Sequence, residues 1–190
     1  IPEDPVQRYI SLLVEDYADE WLWRPAMYYR WSFAPDRYLA GTRLAEEIIR
    51  IPGIPLAERR RWVSRRQKRL FVSGDGVDRS NSPHVESSFL NLLGWLEQIF
   101  TDRPFMLGER PTIADFGLMG PFMRHFVHDP TPAQLMQERA PAVFAWAART
   151  WNARVSRDGA RTIEAGIPSD WEPLLREIGE THLEALARNA

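Results

Sequence analysis

The chain has no cysteine, which removes disulfide bonds, thiolate nucleophiles and cysteine-type zinc sites from consideration. Lysine is nearly missing as well, Lys68 being the only one, so arginine carries almost all of the positive charge. We read this first as a compositional habit. The charges nearly balance at a net −2, which argues against a globally basic nucleic-acid binder. No apolar run approaches the roughly 20 residues that cross a bilayer, and the N-terminus lacks the charged-then-apolar order of a signal peptide. A cytoplasmic protein without a membrane partner is the expectation. Two-residue alternation between hairpin turns is also lacking, so strands are not expected. There is no G-x-S-x-G, Walker or Rossmann signature, and Gly74-Asp-Gly76 precedes no helix start of the phosphate-binding type. The chain begins Ile1-Pro2-Glu3 without an initiator methionine, which reads as a fragment or processed product.

What is present is core material and helical punctuation. Of 190 residues, 44% are hydrophobic and 12% aromatic, ample for one domain with a proper core. Asp4 and Pro5 stand as N-cap and first residue of a helix reaching about Phe33. Pro25 falls inside it, deletes the bond to the Trp21 carbonyl and predicts a kink rather than two independent helices. Pro35-Asp36 opens a second helix to about Ile51, Pro52-Gly-Ile-Pro55 makes a turn, and a third helix runs from Leu56 to about Phe71. After a polar loop over Ser73 to Ser82, Ser82-Pro83 reads as cap and first residue of a core helix. Its stripe is Phe89, Leu92, Leu93, Leu96, Ile99 and Phe100. Thr131-Pro-Ala-Gln134 has capping-box spacing for a short helix. Pro141 starts a helix holding Val143, Phe144, Trp146, Ala147, Thr150 and Trp151. Gly159 to Pro168 reads as a loop and Trp171 to about Arg188 as a closing helix. The sum is one all-α domain over residues 1–190 with about seven or eight helices.

The densest signal is Leu107-Gly-Glu-Arg-Pro-Thr-Ile-Ala-Asp-Phe116. Gly108 can take a positive φ, Pro111 fixes the chain direction, and Thr112 and Asp115 have the spacing of a capping box. The Thr112 hydroxyl would accept from the Asp115 N–H, and the Asp115 carboxylate from the Thr112 N–H. Next in the chain is Phe116-Gly-Leu-Met-Gly-Pro-Phe-Met123, apolar enough for a buried helix. Thr112 and Asp115 are therefore folding residues, and Asp115→Ala would cost about 1 kcal/mol or more.

The extended string Phe105-Met-Leu-Gly, Pro111-Thr-Ile-Ala-Asp-Phe116 resembles the start of the buried central helix in the C-terminal domain of glutathione transferases. The Phe89–Phe100 helix before it and Ala140-Pro-Ala-Val-Phe-Ala-Trp146 after it resemble the flanking elements of that domain, so the resemblance spans about residues 84–155. Glu15-Asp-Tyr-Ala-Asp-Glu-Trp-Leu22 with Tyr29-Arg-Trp31 resembles the opening helix of a subset of bacterial members. The stretch from about 36 to 82 is longer than the family's usual connection, and the closing helix is extra. The thioredoxin-like βαβ-ββα domain that precedes this region in the family is not found in these residues. In the family that domain holds glutathione and the residue that stabilises its thiolate. The resemblance thus implies a helical, co-substrate-binding and dimer-forming domain. The intact parent would conjugate or reduce apolar electrophiles with glutathione as co-substrate, and this chain alone would be inactive. The alternative is a non-catalytic interaction or ligand-binding module of the same fold.

No catalytic residue can be assigned. By resemblance, Trp23, Met27, Tyr28, Trp31, Met119 and Met123 are the candidate substrate-binding residues, although aromatic residues at helical spacing more commonly fill a core. Asp16, Glu20 and Arg24 lie at i, i+4 and i+8, a ladder of stabilising pairs rather than an acid/base site. The basic run from Arg59 to Arg69 predicts Arg60, Arg61, Arg65, Lys68 and Arg69 on the solvent face, opposite Trp62, Val63 and Leu70. Arg59 and Arg66 fall on the apolar side, so both are expected partly buried and paired with carboxylates, with Asp16, Asp19, Glu20, Glu46 and Glu47 as candidates. His125 and His128 are one turn apart, but no third ligand stands at a recognised spacing. No metal is expected, and a capping or core role is the reading for His125 and His128.

Overall fold

A computed structural model describes residues 1–154 and 162–189, and among these every regular element is helical. Among the described residues, eight helical rods succeed one another. The first is α1 (Pro5–Asp16) running through a π-turn (Tyr17–Trp21) into α2 (Trp23–Ser32). Next come α3 (Ala34–Glu47), α4 (Leu56–Lys68) with a π-turn at Arg69–Ser73, and α5 (Ser82–Asp102). After these are α6 (Ile113–Pro121) with a π-turn at Phe122–Phe126, α7 (Pro130–Arg139) and α8 (Pro141–Trp151). The last rod starts with a 3₁₀ turn at Ser169–Trp171. It continues through α9 (Glu172–Glu177), a π-turn (Ile178–Leu183) and α10 (Glu184–Asn189). The predicted loop from Gly159 to Pro168 lies partly outside the described residues, and positions 162–168 are non-helical.

The core helix α5 buries Phe89, Leu92, Leu93, Leu96, Ile99 and Phe100, the stripe read from the sequence. Around it, Phe89 packs on Phe126 with centroids 4.4 Å apart, and Phe100 stacks on Trp146 at 4.6 Å. Phe122 meets Trp146 edge-on at 5.6 Å. α6 crosses α1 closely enough that a Cβ at Gly117 would come within 2.6 Å of the Glu15 Cα, so only glycine fits there.

Prolines and caps act largely where the sequence puts them. The Asp4 carboxylate accepts from the Gln7 N–H at 2.8 Å, with Pro5 opening α1. Pro25 offers no N–H to the Trp21 carbonyl, and the helix answers upstream by widening into a π-turn, with the Leu22 N–H reaching the Tyr17 carbonyl at 3.3 Å. Gly108 has φ +122° and lies between Phe105 and Ile163 in two isolated β-bridges.

Four local readings need correction. α5 begins at Ser82 with Asn81 in the cap position, and Asn81 makes no capping bond. Thr131 is no N-cap, because α7 starts at Pro130 behind Asp129. Instead, Asp36 of α3 reaches across and accepts from both the Thr131 N–H, at 2.9 Å, and the Thr131 hydroxyl. Arg59 is half-buried, but it donates to the Ala45 and Ile49 carbonyls at the end of α3 and pairs with no carboxylate there, while Arg66 is exposed. The packed face of α4 passes through Arg59, Arg60, Val63, Ser64 and Gln67, leaving Trp62 56% and Leu70 39% exposed. That face is mostly polar because α3 comes close: a Cβ at Gly41 would collide with the Ser64 hydroxyl. Finally, the π-turn breaks the Asp16, Glu20, Arg24 ladder. Asp16 bonds His182 at 2.6 Å, and the Arg24 guanidinium lies 4.6 Å over the Trp21 ring.

Candidate functional site

The capping motif is the hub of the fold. Both halves of the box are formed, and Asp115 is fully buried. One carboxylate oxygen accepts from the Thr112 N–H at 2.8 Å and the Thr112 hydroxyl at 3.1 Å. The other accepts from the Met106 N–H at 2.8 Å and the Trp146 indole N–H at 3.1 Å. One side chain thus ties the start of α6, the 105–108 turn and α8. Burial pushes its carboxyl above the ordinary range, and the four hydrogen bonds pull the other way. Trp171 closes the same corner by donating to the Met106 carbonyl at 3.1 Å. These groups saturate one another and offer no acceptor or donor to a substrate.

The six nominated substrate residues divide. Met27 and Trp31 are 3% and 2% exposed and belong to the core; neither presents surface to a ligand. The other four keep accessible surface. Trp23 is 37% exposed, donates its indole N–H to Asp75 at 3.1 Å, and meets Phe71 and His125 edge-on at 5.6 and 6.1 Å. Tyr28 is half-buried, donates to Glu86 at 2.6 Å, and lines a depression of about 410 Å³. That depression lies between α2, the π-turn after α4 and the 76–82 loop, with Val72 and Val77 in its wall. Met119 and Met123 are half-buried at the core edge. With Phe116, 44% exposed, they stand at i, i+3 and i+7 along α6 and its π-turn, one partly open apolar face.

The titratable groups near these residues do not form an acid/base pair. Burial, and next the Glu86 hydrogen bond, push the Tyr28 phenol up, so it is a donor and not a phenolate. His125 is 5% exposed, and burial with the nearby Arg30 and Arg124 charges lowers its pKa to about 3. It is neutral at pH 7, its Nδ1 has no hydrogen-bond partner, and the neighbouring Asp129 is taken by Arg30 at 2.8 Å. His128 is exposed, and no group of His, Asp or Glu able to hold a metal occurs among the described residues.

Sequence reasoning missed the polar links between distant segments. Glu97 of α5 accepts from the Ala142 and Val143 N–H groups at 2.9 and 3.1 Å, capping α8. Gln7 donates to the Glu164 and Gly166 carbonyls, both at 2.7 Å. Arg103 grips Asp170 with two bonds of 2.7 and 2.8 Å. No short-range spacing announces any of them.

An all-helical bundle organised on a buried capping box, with a partly open apolar face, is the class that these features define. Residues 62–149 match the family model described as glutathione S-transferase, C-terminal domain. Over that stretch the chain is similar to a glutathione S-transferase C-terminal domain, the resemblance that its sequence motifs carry. The match starts inside α4 and ends inside α8, so it takes in α5, the capping box and α6. Comparison with curated proteins gives no match, and neither does comparison with solved structures. No helix among the described residues is long and apolar enough to cross a membrane.

Proposed function

We propose that this chain is the acceptor-side domain of a glutathione S-transferase-like enzyme. It holds an apolar electrophile against Trp23, Tyr28, Met119 and Met123, while glutathione is the co-substrate of the intact parent and is bound mainly by a thioredoxin-like domain. The observation that carries this reading is the partly open face of α6 and its π-turn, where Phe116, Met119 and Met123 present apolar surface on the side away from the buried Ala114, Asp115 and Leu118. The parent conjugates or reduces its acceptor with glutathione. The chain is inactive alone: it has no cysteine, and the Tyr28 hydroxyl already donates to Glu86 at 2.6 Å and so is not on offer to a glutathione thiolate. A homodimer is part of the proposal, with α1 at the interface, because Val6, Tyr9 and Leu12 are 60%, 64% and 41% exposed along it.

The test is tryptophan-fluorescence titration of the 190-residue chain with 1-chloro-2,4-dinitrobenzene, beside a glutathione conjugation assay. Saturable quenching that weakens at least fivefold in Met119→Ala/Met123→Ala, with no conjugation above the buffer rate, supports the reading. Quenching that does not saturate, or normal turnover by this chain, would overturn it. Saturable binding that ignores the methionine pair would move the site elsewhere and leave the non-catalytic module as the better account.

A further inference from the structure

Between α3 and α4 lies an open depression of about 520 Å³ with no carboxylate in its lining and none of the six nominated residues. Its walls are Tyr38 on one helix and Arg60, Arg61, Ser64, Arg65 and Lys68 on the other. The Arg60 guanidinium lies over the Tyr38 ring, 4.2 Å from its centroid, which makes a partly apolar wall of ring and cation. Ser64 is 6% exposed and forms the floor where α3 and α4 meet. Arg61, Arg65 and Lys68 are exposed at the rim, and none has a carboxylate partner among the described residues.

Unpaired cations along one helix repel each other, and Arg61, Arg65 and Arg69 stand at i, i+4 and i+8, the spacing at which that repulsion is strongest. The helix dipole favours cations in the last turn of α4. It gives no reason for their lining one depression beside an aromatic ring that carries a guanidinium. Net charge of −2 excludes basicity over the whole chain and says nothing against this local field.

We propose that this groove is a binding site for a planar aromatic acid. The ring system lies against the Tyr38–Arg60 wall, and one or two carboxylates are held by the rim cations Arg61, Arg65 and Lys68. Guanidinium groups supply paired N–H donors that match a carboxylate, and the volume suits a small ligand rather than a large one. The site is independent of the acceptor face on α6, so either proposal can fail without the other.

Isothermal titration of the full chain with 2-naphthoate, and with 2-naphthamide as its neutral counterpart, tests it. The expected result is naphthoate binding at least tenfold tighter than the amide and weakening as salt is raised. Affinity should fall at least tenfold in Arg65→Gln/Lys68→Gln and at least threefold in Tyr38→Ala, with the helical circular dichroism of each variant unchanged. Arg61→Gln, also at an exposed position, gives a second reading should the double variant lose its fold. Equal affinity for the amide, full affinity in the folded rim variants, or no heat at millimolar naphthoate would overturn the proposal. A 12-nucleotide single strand that binds where naphthoate does not would also overturn it, leaving a polyanion surface instead.

Discussion

Asp115→Ala is the most demanding perturbation of this fold. As an isolated helix cap the residue is worth about 1 kcal/mol, but here it is fully buried and also accepts from Met106 N–H and Trp146 Nε1–H. The alanine leaves four buried donors without their acceptor: the two just named, the Thr112 N–H and the Thr112 hydroxyl, of which the hydroxyl alone can rotate to another partner. Each costs about 1–3 kcal/mol. Part of that loss is returned, because removing the carboxyl also removes the burial cost that pushes its pKa up. The net loss we expect is about 3–5 kcal/mol, a large share of the roughly 5–15 kcal/mol that holds a domain together. Urea unfolding followed by far-ultraviolet circular dichroism measures it. Asp115→Asn, which keeps one acceptor oxygen, should lose roughly half as much and serves if the alanine variant does not fold. Trp146→Phe keeps a ring on Phe100 and deletes one donor. In that background Asp115→Ala should cost about 1–2 kcal/mol less than in the native chain. A loss near 1 kcal/mol in Asp115→Ala, or strict additivity with Trp146→Phe, would refute the hub and return Asp115 to a simple cap.

Two further outcomes can be checked with the same unfolding assay. Asp36→Ala strips the Thr131 N–H and hydroxyl of their shared acceptor and should cost about 2–3 kcal/mol, with Asp36→Asn nearer 1; a neutral alanine variant would show that α7 needs no cap from α3. His125 has a folded pKa of about 3, below its usual 6.5, so the unfolded chain binds more protons between those values and stability falls as pH drops through that window. By pH 4.5 the loss should be about 2–3 kcal/mol. His125→Phe should flatten the slope between pH 6.5 and 4.5, and an unchanged slope would place the acid sensitivity elsewhere.

Features coded within a few residues were legible: the Asp4–Pro5 start, the Thr112–Asp115 box, the positive φ of Gly108 and the α5 stripe all stand where spacing puts them. Features that depend on a distant partner were not. Nothing near Thr131 reveals that its acceptor is Asp36, 95 positions earlier in the chain, and the pattern Thr131-x-x-Gln134 imitates a cap convincingly. On α4 and its π-turn Val63 marks the packed face, but Trp62 and Leu70 point outward. Backbone approach at Gly41 sets that helix's packing, so a polar face goes inward and Trp62 stays outside. The candidate site was half legible for a related reason. Aromatic and methionine residues mark α2 and α6 as important, but composition cannot separate Met27 and Trp31, which fill the core, from Trp23, Tyr28, Met119 and Met123, which reach the surface.

The π-turns add a further reason and bear on how the acceptor face can be probed. Each inserts one residue beyond the α-helical repeat, which rotates the downstream side chains by about 100° and ends any single 3.6-residue register. One directly precedes α2, and two others supply Phe71 and His125, the ring neighbours of Trp23. Trp23, bonded also to Asp75, therefore pins α2 to the ends of α4 and α6 at one corner. Replacing it would loosen three helices along with any ligand contact, and loss of binding in Trp23→Ala would not separate the two effects. Tyr28 is bound to Glu86 of α5 and carries the same ambiguity. Met119 and Met123 make no polar bridge between helices and lie at the core edge. They can be shortened with a packing loss of about 1–2 kcal/mol each, which unfolding reads separately from affinity. The acceptor proposal thus stands or falls on the methionine pair, although the tryptophan is the more conspicuous residue in the sequence.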